Sequence, residues 1–194
     1  MTVAILKYNA GNVASVQNAL GRPGVDSVIT DDPEVIRAAD KLIFPGVGEA
    51  STAMSFLCER GLDVLIRSLT QPVLGVCLGM QLMCTHSDEN DTPCIGIFPA
   101  TVRLFESGEM KVPHTGWNTI EDSSPALFHG VPENSYVYFV HSYYVSLSEY
   151  TSSVCRYGIE FSAALEKDNF YGVQFHPEKS GTVGEKILEN FLRI

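Results

Sequence analysis

Three residue types at two places in this chain have the makings of a nucleophilic site. Cys77 sits in Pro72-Val73-Leu74-Gly75-Val76-Cys77-Leu78-Gly79-Met80-Gln81, with a glycine two residues to either side. An apolar run of strand length precedes it and a helix-compatible pattern follows. This is the G-x-C-x-G form of a nucleophile elbow, in which small flanking residues let the chain turn sharply and lift one side chain above a sheet. The same residues also suit a core strand with a buried cysteine. Ninety-nine residues further on, Phe175-His176-Pro177-Glu178 ends another apolar run. In extended backbone, positions i and i+2 share a side, so His176 and Glu178 can meet. Pro177 between them keeps His176 out of the helical region. A carboxylate on one imidazole nitrogen fixes the tautomer and leaves the other nitrogen to take a thiol proton. Thiolate is the reactive form of cysteine, and a neighbouring imidazolium favours it. Cys77, His176 and Glu178 thus read as nucleophile, base and orienter. The alternative for His-Pro-Glu is a strand end with a solvated turn.

A third stretch, Pro45-Gly46-Val47-Gly48, closes an apolar run. Its glycines let backbone approach a ligand and aim N–H groups at it, so the loop can supply one oxyanion donor, with the Leu78 amide at a helix start supplying the other. A plain strand-to-helix turn fits it as well. The four remaining histidines (His86, His114, His129 and His141) lack metal-ligand spacing, so no metal is expected. His141-Ser142-Tyr143-Tyr144 ends an apolar strand and is a candidate rim. Trp117, the single tryptophan, is either core filling or an interface anchor.

These residues need a scaffold. Val3 to Leu6, Val25 to Thr30, Leu42 to Phe44 and Val73 to Val76 read as buried strands alternating with helices from Val13, Pro33 and Ala50, the last broken near Gly61. Asp32 and Pro33 make a helix start. Such alternation predicts an α/β fold with a mostly parallel central sheet covered by helices on both faces. Sites in these sheets form at the carboxyl ends of strands, where Cys77 and Gly46–Gly48 fall. The second half instead reads as strand-like runs (101–105, 118–121, 136–145, 153–157, 162–166 and 170–175), an antiparallel annex. Lys167-Asp168-Asn169 closes a hairpin, and Gly184 to Ile194 returns to helical spacing. No linker or repeat divides the chain, so a single domain over residues 1–194 is expected.

Composition narrows the class. The 194 residues are 45% hydrophobic and 19% charged, an ordinary globular balance. A formal charge of −10 argues against nucleic acid or an anionic membrane as partner. Five cysteines without a C-x-x-C pair favour reduced thiols and a cytoplasmic setting over a disulfide framework. No apolar stretch reaches membrane-spanning length, and no leader pattern precedes the first strand.

Taken together, Pro-Gly-Val-Gly at 45–48, Gly-Val-Cys-Leu-Gly-Met-Gln at 75–81 and Phe-His-Pro-Glu at 175–178 resemble the class I glutamine amidotransferases, along essentially the whole chain. Pro-His-Thr-Gly-Trp-Asn at 113–118, Val-His-Ser-Tyr-Tyr-Val at 140–145 and His-Pro-Glu-Lys-Ser-Gly at 176–181 are similar to the glutaminase subunits of imidazole glycerol phosphate synthases, of histidine biosynthesis. Tyr8-Asn9-Ala10-Gly11-Asn12 is similar to the N-terminal motif of those subunits, although Lys7-Tyr8-Asn9 departs from the commoner Asp-Tyr-Gly. Thr115 and the run Cys84 to Asp88 depart as well, whereas Glu89 keeps an acid in place. The resemblance implies a flavodoxin-like amidotransferase fold that hydrolyses L-glutamine to glutamate and ammonia through a γ-glutamyl thioester, without a cofactor. It implies that Gln81, Glu89, Ser142 and Tyr143 hold the glutamine, with Val47, Gly48 and Leu78 around the oxyanion. It further implies a heterodimer with a (βα)8-barrel cyclase, faced by Asn12, Trp117 and Lys179. Another class I glutaminase, such as that of pyridoxal phosphate synthase, and a non-catalytic regulator on the same fold are the competing readings.

Overall fold

A computed structural model describes residues 1–10, 13–21, 24–106, 108 and 110–194; Asn12 lies outside them. Strand and helix alternate through the first half as β1 (Thr2–Leu6), α1 (Val13–Gly21), β2 (Asp26–Thr30), α2 (Pro33–Ala38), β3 (Lys41–Gly46), α3 (Ala50–Glu59), α4 (Leu62–Ser68), β4 (Val73–Cys77) and α5 (Leu78–Leu82). The local signals have visible causes. Asp32 caps α2 by accepting from the Glu34 amide at 2.9 Å, with Pro33 in the first turn. Gly61, at φ +65, separates α3 from α4 as its left-handed backbone requires. Glu49 caps α3 through the Ser51 and Thr52 amides, a cap that the sequence reading did not single out.

The second half continues as β5 (Cys84–Ser87), β6 (Thr92–Pro93), β7 (Phe98–Leu104), β8 (His114–Ile120), α6 (Pro125–Phe128), β9 (Ser135–His141), β10 (Tyr143–Val145), β11 (Thr151–Tyr157), β12 (Ile159–Lys167), β13 (Phe170–Val173) and α7 (Gly181–Arg193). Seven strands form the main sheet in the order β11-β12-β13-β4-β3-β1-β2. The five from β13 to β2 are parallel, and β12 and β11 extend the edge antiparallel. Asp168, at φ +54, turns the β12–β13 hairpin where expected.

Period-two alternation sorts the core. Val3 and Ile5 of β1 pack on one face with Val16 of α1 and Ile187 and Phe191 of α7. Ala4 and Leu6 pack on the other with Ile36, Leu57, Leu65 and Met80 from α2 to α5. Each fully buried large apolar side chain is worth roughly 1.5–3 kcal/mol against exposure, so both faces are firmly covered. The sheet is held from two sides, as the alternating pattern predicted.

Several boundaries differ from the sequence reading, and two of them shape the site. The run 136–145 is not one strand: β9 pairs with β8, and β10 pairs with β7 in a separate four-stranded sheet, β10-β7-β5-β6. The chain changes sheets at Ser142, a switch that an unbroken β-branched and aromatic run conceals. The strand from Leu42 does not stop at Phe44 either. It continues through Pro45 and Gly46, which pair with Val76 and Cys77 on β4. The expected antiparallel annex is therefore three pieces: the β11–β12 edge, the antiparallel β8–β9 pair and the four-stranded sheet, in which β5 and β7 run parallel. The run 170–175 is not part of it, because β13 joins the parallel core beside β4.

Candidate active site

Cys77 occupies the junction of β4 and α5 with φ +53 and ψ −110, backbone that a non-glycine residue adopts only under strain. The flanking glycines are not the residues that take the unusual dihedrals. They are small because the turn is crowded. A Cβ on Gly79 would lie 1.9 Å from the Phe44 carbonyl oxygen, and one on Gly75 would lie 2.8 Å from the Met80 amide nitrogen. Gly46, on the adjacent strand, would place a Cβ 2.6 Å from the Leu78 Cβ. Close packing of α5 on β3 and β4 therefore forces the positive φ onto Cys77 and points its side chain beyond the sheet end.

The register brings the partner residues alongside. Strand β13 runs parallel to β4, with Val173 opposite Val76, so His176 and Glu178 follow just past the level of Cys77. The His176 amide donates to the Tyr138 carbonyl at 2.9 Å, the Tyr138 amide to the Ser180 hydroxyl at 3.0 Å, and that hydroxyl to the His176 carbonyl at 2.7 Å. This braces the His-Pro-Glu turn against β9. Inside it, His176 Nδ1 lies 2.8 Å from Glu178 Oε1, with both side chains 2% exposed. Burial alone pulls the imidazole down, but Cys77 and the Glu178 carboxylate outweigh it and raise His176 to about 10. Its Nε2 has no hydrogen-bond partner of ordinary geometry, which leaves that nitrogen for proton traffic at the sulfur.

A cavity of about 350 Å³ opens in front of Cys77. Val47, Gly48 and Leu78 line it together with Gln81, Glu89, Ser142 and Tyr143. The structure therefore gathers all seven predicted oxyanion and glutamine-binding residues around the candidate nucleophile, from elements as separate as β3, α5 and the β9–β10 switch. Gln81 Nε2 donates to the Tyr143 carbonyl at 2.9 Å, and Glu89 accepts from the Ala50 amide at 2.7 Å. Burial raises the Glu89 carboxyl above its ordinary value, against that amide bond. Gly48 has φ +133, so the loop carrying the proposed oxyanion amides depends on glycine. Tyr8 braces the strand before it, its hydroxyl donating to the Pro45 carbonyl at 2.7 Å.

Of the candidate interface residues, Trp117 is 55% exposed, which removes the core-filling reading. It stands edge-on to Tyr138, with ring centroids 5.9 Å apart, and the Lys179 ammonium lies 5.9 Å from the same Tyr138 ring. Trp117, Tyr138 and Lys179 thus share a surface directly behind the His-Pro-Glu turn. Pro113, Val140 and His141 also line the cavity, and the sequence reading assigned none of them to it, although it marked His141 as rim. Among the described residues, no group of three or more His, Cys, Asp or Glu side chains is placed to hold a metal, and no helix is long and apolar enough to cross a membrane.

A strained cysteine elbow at a parallel sheet end, a His–Glu pair just past the end of the neighbouring strand and a glycine loop at the same cavity define a class I amidotransferase, and residues 8–194 match the family described as glutamine amidotransferase class-I. The chain belongs to that family. It is 58% identical over 196 residues to the imidazole glycerol phosphate synthase subunit HisH of Bacteroides fragilis (strain YCH46), covering all of both chains. It is 56% identical to the HisH subunit of Bacteroides thetaiotaomicron, over 99% of each, and 48% identical to that of Shewanella sediminis, over all of this chain and 91% of the relative. Among solved structures, a GMP synthase-type protein of Thermoplasma acidophilum superposes with TM-score 0.77 at 19% identity, covering 100% of this chain and 92% of the other. A glutamine amidotransferase structure superposes with TM-score 0.76 at 20% identity, over 98% and 97%. At such identities these two carry the fold.

Proposed function

We propose that the chain, acting as one amidotransferase domain, is the glutaminase subunit of an imidazole glycerol phosphate synthase. The observation that carries the chemistry is the placing of Cys77, at 53° of φ and 6% exposure, between a lined cavity and the buried His176–Glu178 pair. Glutamine enters with its α-carbon groups near Glu89, Ser142 and Tyr143 and its side-chain amide over the sulfur. The Cys77 thiolate attacks the amide carbon, and the carbonyl electron pair moves onto oxygen, where backbone N–H groups of the Val47–Gly48 loop and Leu78 receive it. Collapse of this tetrahedral species breaks the C–N bond as protonated His176 gives its proton to the leaving ammonia. A γ-glutamyl thioester remains. His176, now neutral, takes a proton from water, whose oxygen attacks the thioester. Glutamate leaves and Cys77 returns as thiolate beside a protonated imidazole. Glu178 holds Nδ1 throughout, so the same nitrogen of His176 serves both halves.

Full-length similarity to HisH subunits supports a cyclase partner of barrel fold that consumes the ammonia. The exposed aromatic and cationic surface of Trp117, Tyr138 and Lys179, backed directly by the His176 turn, supports docking there, where contact reaches the triad through one turn of chain. The test is ammonia release from glutamine by the purified chain, with and without the barrel partner and a ligand of that partner's active site. Strong stimulation by both together is expected, with Cys77→Ala losing glutamine-dependent product but keeping ammonia-dependent synthesis by the complex. Loss of both activities in a folded Cys77→Ala complex would overturn the assignment.

A further inference from the structure

Gln174, the residue after β13, has a fully buried side chain and no place in the triad. Its amide is the middle link of a chain. Gln81 Nε2 lies 2.9 Å from Gln174 Oε1, and Gln174 Nε2 lies 3.6 Å from Cys77 Sγ. The polarity of this chain is fixed from one end. The Tyr143 carbonyl can only accept, so the group 2.9 Å from it on Gln81 is the NH2. The same nitrogen spends its second hydrogen on Gln174, whose facing atom must then be oxygen. What Gln174 presents to the sulfur is therefore an N–H donor.

Besides His176, a second polar neighbour of the sulfur acts in the opposite sense. The Val140 carbonyl is 3.9 Å from Cys77 Sγ, placed to accept from a thiol and to repel a thiolate. A donor directed at sulfur strengthens as negative charge develops there, since hydrogen bonds to ionised groups are the stronger ones. We propose that Gln174 is a further catalytic residue of this site, donating a hydrogen bond to the Cys77 sulfur that stabilises its thiolate and fixes its direction. Through Gln81 the donor is tied to the Tyr143 carbonyl at the cavity wall, so a ligand that displaces the wall also moves the group that holds the nucleophile. The inference rests on Cys77 being the nucleophile.

The experiment is the pH dependence of iodoacetamide alkylation of the full chain, followed on the Cys77 peptide by mass spectrometry because Cys58 is exposed. Two substitutions of near-equal volume are compared. Gln174→Glu keeps an acceptor for Gln81 and removes the donor; Gln174→Met removes both. Each is expected to raise the alkylation midpoint of Cys77 by about one to two pH units relative to the parent chain. With the barrel partner present, kcat for glutamine should fall at least roughly tenfold while KM changes little. Thermal melting sets aside a variant that has not folded, and Gln174→Leu takes the place of Gln174→Met if the latter has not. A midpoint unmoved in Gln174→Met overturns the proposal, even if Gln174→Glu shifts, because that pattern reports added charge instead of a lost donor. Failure of the underlying reading looks different: glutamine hydrolysis would then survive Cys77→Ser whatever Gln174 does.

Discussion

His114 Nδ1 lies 3.0 Å from His141 Nε2, and the pair can share only one proton between those atoms. The tautomers follow from the ends. His141 Nδ1 is 2.7 Å from the Tyr143 carbonyl and must donate to it, so a neutral His141 accepts at Nε2. His114 then donates from Nδ1 and accepts at Nε2, where Asn118 Nδ2 stands 3.3 Å away. Stacked between Phe139 and Tyr157 at centroid distances of 4.8 and 4.0 Å, His114 is a packed ring as well as a donor. The relay runs from the exposed hairpin that bears Trp117 to the backbone of the cavity wall.

That pair makes stability fall in acid. Burial lowers His114 to about 4. Burial, partly opposed by the Tyr143 carbonyl and reinforced by His114 and His176, lowers His141 to about 3. Below about pH 6.5 the unfolded chain binds protons at both rings that the folded chain refuses, so stability drops as pH falls from about 6.5 toward 4. Urea midpoints should be lower at pH 5 than at pH 7. His114→Phe should weaken that dependence while costing about 1–3 kcal/mol at pH 7, because His141 Nε2 loses its donor. A steeper acid dependence in the variant would refute the assignment.

Glu178→Gln tests the other titrating ring. His176 is held up at about 10, so its contribution is fully present below the unfolded value of about 6.5 and is lost as pH rises through 10. Without the carboxylate, Cys77 alone opposes burial, so the imidazolium is less favoured than in the parent chain. Ammonia release by the complex should fall by roughly 10²–10⁴, and the alkaline loss of stability should flatten. Retention of near-parental turnover would remove Glu178 from the mechanism.

The legible parts of this site were those written locally. Gly75-Val76-Cys77-Leu78-Gly79 and His176-Pro177-Glu178 place strand end, turn and side chain within a few residues, and the parallel β13–β4 register then brings them together. Gln174 was not legible as a site residue, and His141, although marked as rim, was not legible as the partner of His114. Their roles come from contacts across 97 and 27 positions, which no periodicity encodes. The segment from Cys84 to Pro93 escaped for another reason. Its strands are four and two residues long, too short for alternation to register, yet Glu89 between them reaches the cavity.

Trp117→Ala should weaken association with a barrel partner by about 2 kcal/mol, as expected of a buried aromatic anchor, while the isolated chain melts unchanged because the ring is 55% exposed. Lys179→Ala acts differently. Its ammonium faces Tyr138, whose backbone braces the His176 turn, so the ratio of product made to glutamine hydrolysed should fall with the triad intact. Calorimetric titration separates the first effect and paired assays the second. Equal changes in both measurements for both variants would argue that the surface acts only as glue.

Two glycines separate crowding from conformation as causes. Gly79→Ala places a methyl 1.9 Å from the Phe44 carbonyl oxygen, which is backbone and cannot swing aside. Helix α5 must move, carrying the Leu78 amide and Cys77 with it. The expected result is a loss of about 1–3 kcal/mol together with a fall in glutamine turnover. Gly61→Ala meets nothing within 4 Å, but its φ of +65 is costly for a side chain, at about 1–2 kcal/mol. That loss should leave turnover untouched, because Gly61 does not line the cavity. Urea denaturation and turnover measured on the same preparations decide the matter. If both variants lose stability and activity in parallel, the elbow is merely a fragile point of the fold. If only Gly79→Ala loses activity beyond its loss of stability, the close contact of α5 with β3 is what holds Cys77 in its strained position.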